Sequence, residues 1–132
     1  MTKTIWIIDD DLVSQFAIRY CVEQYGSGYK TDVFSSAEEA LSAAKELSKA
    51  SGAFPKIILL DLVMNHMNGW EFIDQLKNIT SAKNFPNIFI LSAFTNAKDR
   101  AIAKEHPEVS GYFDKPLSQA SLSKVFSQKI TQ

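Results

Sequence analysis

The chain has 132 residues, a formal net charge of −1, 45% hydrophobic and 22% charged residues, and one cysteine, Cys21. One domain of common size is expected, able to bury roughly 65–70% of its unfolded surface without metal or disulfide staples. The balanced charge gives no electrostatic footprint for nucleic acid, and a lone cysteine excludes an internal disulfide and favours an intracellular setting. No apolar run reaches the ~18 residues of a membrane span, and "MTKTIWIIDDD" does not read as a signal peptide, so a soluble cytoplasmic domain is expected.

In chain order, "TIWIID" (4–9) is a continuous apolar run, as a parallel strand covered on both faces would be. Val13, Phe16, Ala17 and Tyr20 follow with the i, i+3, i+4, i+7 spacing of one buried helix face. "YKTDVF" (29–34) alternates, as an edge strand does. Ser35 or Ser36 then caps a helix whose first turn holds Glu38 and Glu39 and whose apolar stripe is Ala37, Ala40, Leu41, Ala44 and Leu47. The longest loop is expected near "KASGAFP" (49–55), ahead of the buried strand "KIILLD" (56–61). Phe72, Ile73, Leu76 and Ile79 mark a third helix, with Trp70 packing at its start, and "NIFILS" (87–92) a fourth strand. A less amphipathic helix over 95–105 leads to "VSGYFD" (109–114), a strand diluted by Gly111. Ser118 caps the last helix, with the stripe Leu122, Val125, Phe126 and Ile130. Five strands alternating with five helices, with no repeat or linker, predict an α/β fold with a parallel sheet and right-handed crossovers.

Ligands of such sheets bind outside the carboxyl ends of the strands. Asp9, Asp10 and Asp11 follow the first strand, Asp61 ends the third, Ser92 ends the fourth, and Asp114 and Lys115 follow the fifth. A carboxylate ending so apolar a strand as "KIILLD" needs water or a partner to offset its desolvation. Clustered acids at one edge repel each other unless a cation joins them, and oxygen ligands suit a hard divalent ion such as Mg²⁺. A carboxylate beside Mg²⁺ can act as a nucleophile toward a phosphoryl group, whose oxygens then call for a cation and a hydroxyl donor. Lys115 and Ser92 are the candidates for those two roles.

With these residues in view, the sequence resembles the receiver domains of two-component response regulators, including single-domain chemotaxis-type regulators. The resemblance spans about residues 3–128 and rests on "IIDDD", "LLDLVMNHMNGWEF", "ILSAF" and "YFDKP", in that order. It implies a (βα)5 flavodoxin-like three-layer sandwich with strand order 2-1-3-4-5, and a single receiver domain over 1–132 with no output domain. It further implies that Asp61 is the phosphoacceptor, taking its phosphoryl group from a sensor histidine kinase or a histidine phosphotransfer protein. Asp10, Asp61 and the Val63 backbone carbonyl are then the direct Mg²⁺ ligands, with Asp9 acting through water. Ser92 and the lysine Lys115, followed by Pro116, hold the phosphoryl group, and Ser92 with Tyr112 forms the switch. Output is expected through the face of the fourth helix, fifth strand and fifth helix to a protein partner, with neither nucleic acid nor membrane bound directly. Such a chain is not an enzyme beyond promoting its own phosphorylation and dephosphorylation. Asn65 and Asn68 depart from the family's usual proline and aspartate. Val63 and Phe94 are expected to restrict the attacking water and prolong the phosphorylated state.

"DDDLV" (9–13) also fits the D-x-D-x-[TV] nucleophile motif of haloacid-dehalogenase-type phosphatases, with Asp9 as nucleophile and Asp11 as acid/base. That family needs carboxylates downstream of its lysine, and no acid follows Lys115. A receiver that binds partners without phosphorylation is a further alternative, but its expected signature is loss of Asp61, the acidic pair or Lys115. Asp11 is read as a first-turn acid. His66 and His106 are read as loop or surface residues, since no second ligand sits at metal-binding spacing. Lys98, Arg100 and Lys104 are read as a solvated helix face.

Overall fold

The computed structural model describes residues 3–93 and 97–127. Its strands are β1 (Thr4–Ile8), β2 (Lys30–Phe34), β3 (Ile57–Asp61), β4 (Asn87–Ser92) and β5 (Val109–Asp114), all parallel and ordered β2-β1-β3-β4-β5. The helices are α1 (Leu12–Tyr25), α2 (Ala37–Lys49), α3 (Gly69–Ile79), α4 (Ala97–Lys104) and α5 (Gln119–Ser127), with a 3₁₀ turn at Ala82–Asn84. This is the three-layer arrangement expected from the resemblance. No described helix is long and apolar enough to cross a membrane.

The continuous apolar strands are covered on both faces because successive side chains point to opposite sides of the sheet. Trp6, Ile8, Ile58, Leu60, Ile88 and Ile90 pack on one face against α2 and α3. Ile5, Ile7, Ile57, Leu59, Phe89 and Leu91 pack on the other against Ile18 and Val22 of α1 and Leu122 and Val125 of α5. Residues β3 57–61 are all buried, so Asp61 is the one charge on the most enclosed strand. Gly111 has a packing reason: a Cβ there would lie 2.9 Å from the ring of Phe89, which pairs with it across β4 and β5.

The caps follow local chemistry. Ser36 accepts from the Glu39 amide at the start of α2, and the Glu39 carboxylate accepts from the Ser35 amide. Asn68 and Glu71 form a reciprocal capping box on α3, and Ser118 accepts from Ser121 on α5. Asp11 is the N-cap of α1, accepting from the Ser14 amide, rather than a residue of its first turn. Ile130 lies outside the described residues.

The main correction concerns α1. Val13, Phe16 and Tyr20, expected in the core, are 77%, 74% and 57% exposed, and Ala17 is exposed with them. Gln15, Ile18 and Val22 face the sheet instead, with Cys21 and Tyr25 half-buried beside them. The helix "LVSQFAIRYCVEQY" is apolar around most of its circumference, so spacing alone allows two phases. Polar contacts select between them. Buried Gln15 donates from Nε2 to the Asp9 carbonyl at 2.6 Å and to Ser35 Oγ at 3.1 Å, tying the ends of β1 and β2 together.

The two faces of α1 should therefore respond differently to substitution. Phe16→Ser is expected to change unfolding free energy by less than about 0.5 kcal/mol, as exposed positions do. Ile18→Ala should cost about 2–4 kcal/mol through lost burial and a cavity. Urea denaturation of both variants checks this, and the reverse order would return Phe16 to the core.

Candidate functional site

Strand ends bring the polar residues together. The Asp9 amide donates to the Phe34 carbonyl, and the Lys115 amide to the Ser92 carbonyl at 2.8 Å, so the loops leaving β1 and β5 are anchored on their neighbours. Asp9, Asp10 and Asp61 each place a carboxylate oxygen within 4.8 Å of the others. Lys115 Nζ donates to Asp9 Oδ2 at 2.7 Å and lies 3.4 Å from Asp61 Oδ2. The Lys115–Pro116 peptide bond is cis.

The carboxylates are held in different ways. Asp9 is fully buried, taking the Asp11 amide on Oδ1 and the Ser14 hydroxyl and Lys115 on Oδ2. Asp10 accepts the Asn65 amide at 3.0 Å, tying it to the loop after β3. Asp61, 8% exposed, accepts the Val63 amide at 3.3 Å. Gly69 is needed behind it: its amide donates to the Leu62 carbonyl, and a Cβ there would lie 2.9 Å from the Asp61 carbonyl oxygen.

Charge explains the electrostatics. Burial, then the neighbouring Asp9 carboxylate, pushes the Asp61 pKa up to about 6, against the pull of Lys115 and the Val63 amide. Burial alone would lower the pKa of Lys115, but its contacts with Asp9 and Asp61 more than offset this and raise it. Three carboxylates face one lysine, a surplus of negative charge on hard oxygen donors. That donor set fits a small divalent cation such as Mg²⁺, bound by one or two carboxylates with water completing its shell.

Ser92 is buried at the end of β4. The Tyr112 hydroxyl is also buried, and its pKa is raised by burial and then by Asp99, with Ser92 lowering it. Ser92 is thus close enough to act on the phenol. Val63 is 72% exposed beside the site, and Phe94 lies outside the described residues.

Some contacts were not foreseen. Ser14 and Gln15 look in sequence like ordinary helix positions, yet both hold Asp9, one through its side chain and one through its carbonyl. His106 is a loop residue, as expected, but not an exposed one: only 11% of its side chain is exposed, its ring sits 4.9 Å from Trp70, and it bonds the Ile102 carbonyl and Asp74. Trp70 also donates to Asp99, linking α3 to α4. His66 is an exposed loop residue, and Lys98, Arg100 and Lys104 are exposed as expected. The phosphatase alternative fares poorly, because Asp9 presents no surface for attack and Asp11 is engaged as the α1 cap.

The sequence profile described as "Response regulator receiver domain" matches residues 5–127. The chain belongs to that family. A two-component response regulator from Cytophaga hutchinsonii is 28% identical and superposes with a TM-score of 0.86, covering 96% of this chain and 95% of that one. A second, from Legionella pneumophila, is also 28% identical, with a TM-score of 0.80 and 96% of each chain covered. An uncharacterized 14.6 kDa protein of Leptolyngbya boryana is 27% identical over 94% of this chain and 87% of its own.

In this receiver the raised pKa of Asp61 has a consequence for stability. The folded value of about 6 stands above the ordinary 3.8, so the folded state binds the proton more tightly. Ionising Asp61 therefore lowers stability in full above pH about 6, and the penalty fades as pH falls through 6 toward 4. In Mg²⁺-free buffer at pH 7.5, Asp61→Asn should be more stable than the parent, by about 3 kcal/mol at the upper limit. The gap should narrow by pH 4.5 in urea titrations, and a gap independent of pH would contradict the assignment.

Proposed function

We propose that this receiver accepts a phosphoryl group on the Asp61 carboxylate from a phosphohistidine carried by a histidine kinase or a histidine phosphotransfer protein, in the cytoplasm. The observation that carries this reading is the position of Asp61: a slightly exposed carboxylate at a strand end, within reach of Lys115 and two further acids. An Asp61 oxygen attacks phosphorus, the P–O bond forms as the P–N bond breaks, and the imidazole keeps the electron pair. Asp10, Asp61 and the Val63 carbonyl would hold Mg²⁺, with Asp9 acting through water. When bound, the ion neutralises charge developing on the phosphoryl oxygens.

The protein's own groups supply the remainder. Lys115 Nζ, already between Asp9 and Asp61, pairs with a phosphoryl oxygen, and the Ser92 hydroxyl donates to another. Tyr112, half-buried with its hydroxyl enclosed near Ser92, passes that movement to α4 and β5, whose contacts with a downstream protein then change. Water later cleaves the P–O bond, regenerating Asp61 and inorganic phosphate. Val63, two residues after Asp61, would slow that water. The receiver catalyses nothing beyond this cycle.

The exposed face of α1 supports a protein donor over a small molecule as the physiological source. Leu12, Val13 and Phe16 are exposed at the end of α1 next to the acidic turn, with exposed Val63 on the loop that follows Asp61. A donor whose phosphohistidine reaches Asp61 must come close to this apolar surface, and aromatic anchors of this kind dominate binding energy.

Intact mass after incubation with acetyl phosphate and Mg²⁺ tests the acceptor. One phosphoryl adduct is expected on the parent, none without Mg²⁺ and none on Asp61→Asn. An adduct that persists in Asp61→Asn and disappears in Asp9→Asn would overturn the reading. For the donor surface, Phe16→Ser should slow transfer from a phosphorylated histidine phosphotransfer protein about tenfold, the cost of losing one aromatic anchor. Labelling by acetyl phosphate should stay unchanged. Equal loss with both donors would remove α1 from the donor contact.

A further inference from the structure

We propose that Ser14 is a positioning residue for phosphoryl transfer: its hydroxyl fixes the Asp9 carboxylate and remains as its donor when Lys115 moves to the phosphoryl group. This rests on the reading of Asp61 as phosphoacceptor.

The inference starts from the isolation of Asp9. Its carboxylate is fully buried, and Lys115 is the one cation paired with it among the described residues. Lys115 stands nearer to Asp9, at 2.7 Å, than to Asp61, at 3.4 Å. Phosphorylation puts new negative oxygens beyond Asp61, so Lys115 must give up part of its contact with Asp9 to reach them. A buried carboxylate left with fewer hydrogen-bond partners is costly unless other donors remain.

Ser14 supplies one. Its Oγ donates to Asp9 Oδ2 at 2.5 Å, the same oxygen that accepts Lys115. The Asp11 amide covers Oδ1 at 3.0 Å, so two neutral donors stay in place when the lysine leaves. The geometry around Ser14 is also fixed independently of Lys115. Its amide donates to the Asp11 carboxylate in the α1 cap, while Gln15 on the next position holds the Asp9 carbonyl. The first turn of α1 thus grips Asp9 at both its carboxylate and its backbone, and neither grip depends on the state of Asp61.

The same grip would hold Asp9 in place for a bound Mg²⁺. Groups hydrogen-bonded to the carboxylates around a metal typically change its affinity about 10- to 100-fold when removed. Neither Ser14 nor Gln15 touches the phosphoryl group, so both act through Asp9.

Three proteins decide the matter: the parent, Ser14→Ala and Ser14→Thr, each shown to be folded by near-ultraviolet circular dichroism. Calorimetric titration with MgCl2 is the first readout. Ser14→Ala should bind Mg²⁺ about tenfold more weakly, at the low end of the range for such groups. The second readout is the rate of labelling by acetyl phosphate at saturating Mg²⁺, where Ser14→Ala should be slower by a similar factor. Ser14→Thr, which keeps the hydroxyl, should return both values to within twofold of the parent. Mg²⁺ affinity and labelling rate unchanged in Ser14→Ala would overturn the role, and so would a folded Ser14→Thr that behaves like Ser14→Ala, since packing rather than the hydroxyl would then be at work. If the parent itself neither binds Mg²⁺ nor takes up phosphoryl, the reading of Asp61 falls first and this inference with it.

Discussion

The contact between Lys115 and Asp9 joins residues 106 positions apart and closes the edge of the sheet on which everything else in the site depends. Asp9 is buried and negative, so it stands in the fold only because a cation and two neutral donors meet it there. Lys115 is in turn held by the backbone bond between its amide and the Ser92 carbonyl. One ion pair thus locks the ends of β1, β4 and β5 into mutual register and leaves Asp61 between them. Breaking such a pair from one side strands the other charge, and a buried pair of this kind fixes geometry more than it adds stability.

Asp61 shows the cost of function at such an edge. Every other residue of β3 is apolar and buried, and the strand would be more comfortable ending in a hydrophobe. The carboxyl is pushed toward its neutral form by burial and by Asp9, and Lys115 compensates only in part. A surplus of negative charge on hard oxygen donors therefore collects at this strand end. Close packing supports this placement, since Gly69 leaves room for the Asp61 backbone where any side chain would intrude.

At the other end of this region, α4 has no buried residue, and only its Ile102 and Ala103 pack partly on the core. Trp70 of α3 reaches Asp99 on α4, while His106 and Glu108 on the segment that follows α4 reach Asp74 and Lys77 of α3. Elements tied by few, partly exposed contacts are the ones that move at low cost. Tyr112 lies between this helix and Ser92, so the strand-end site and α4 share a side chain.

The sequence by itself determined the elements and the identity of the site. Continuous apolar runs made the strands, serine and asparagine caps started α2, α3 and α5, and the placing of acids, Ser92 and Lys115 after strands gave the rim, because strand direction alone sends those residues to one edge. Gly111, which diluted β5 in sequence, turned out to be required by the Phe89 ring across from it. What the tertiary structure decided were contacts between residues remote in the chain or ambiguous in phase. The orientation of α1 could not be read from its spacing, because both of its faces are apolar; the bond from Gln15 to the Asp9 carbonyl chose the one facing the sheet. The same rotation brought Ser14 onto Asp9, and packing against Trp70 of α3 made the loop residue His106 a link between elements. Local sequence fixes what each segment can become, but polar groups that must be satisfied in the interior decide which face turns inward, and they find their partners only once the sheet has assembled.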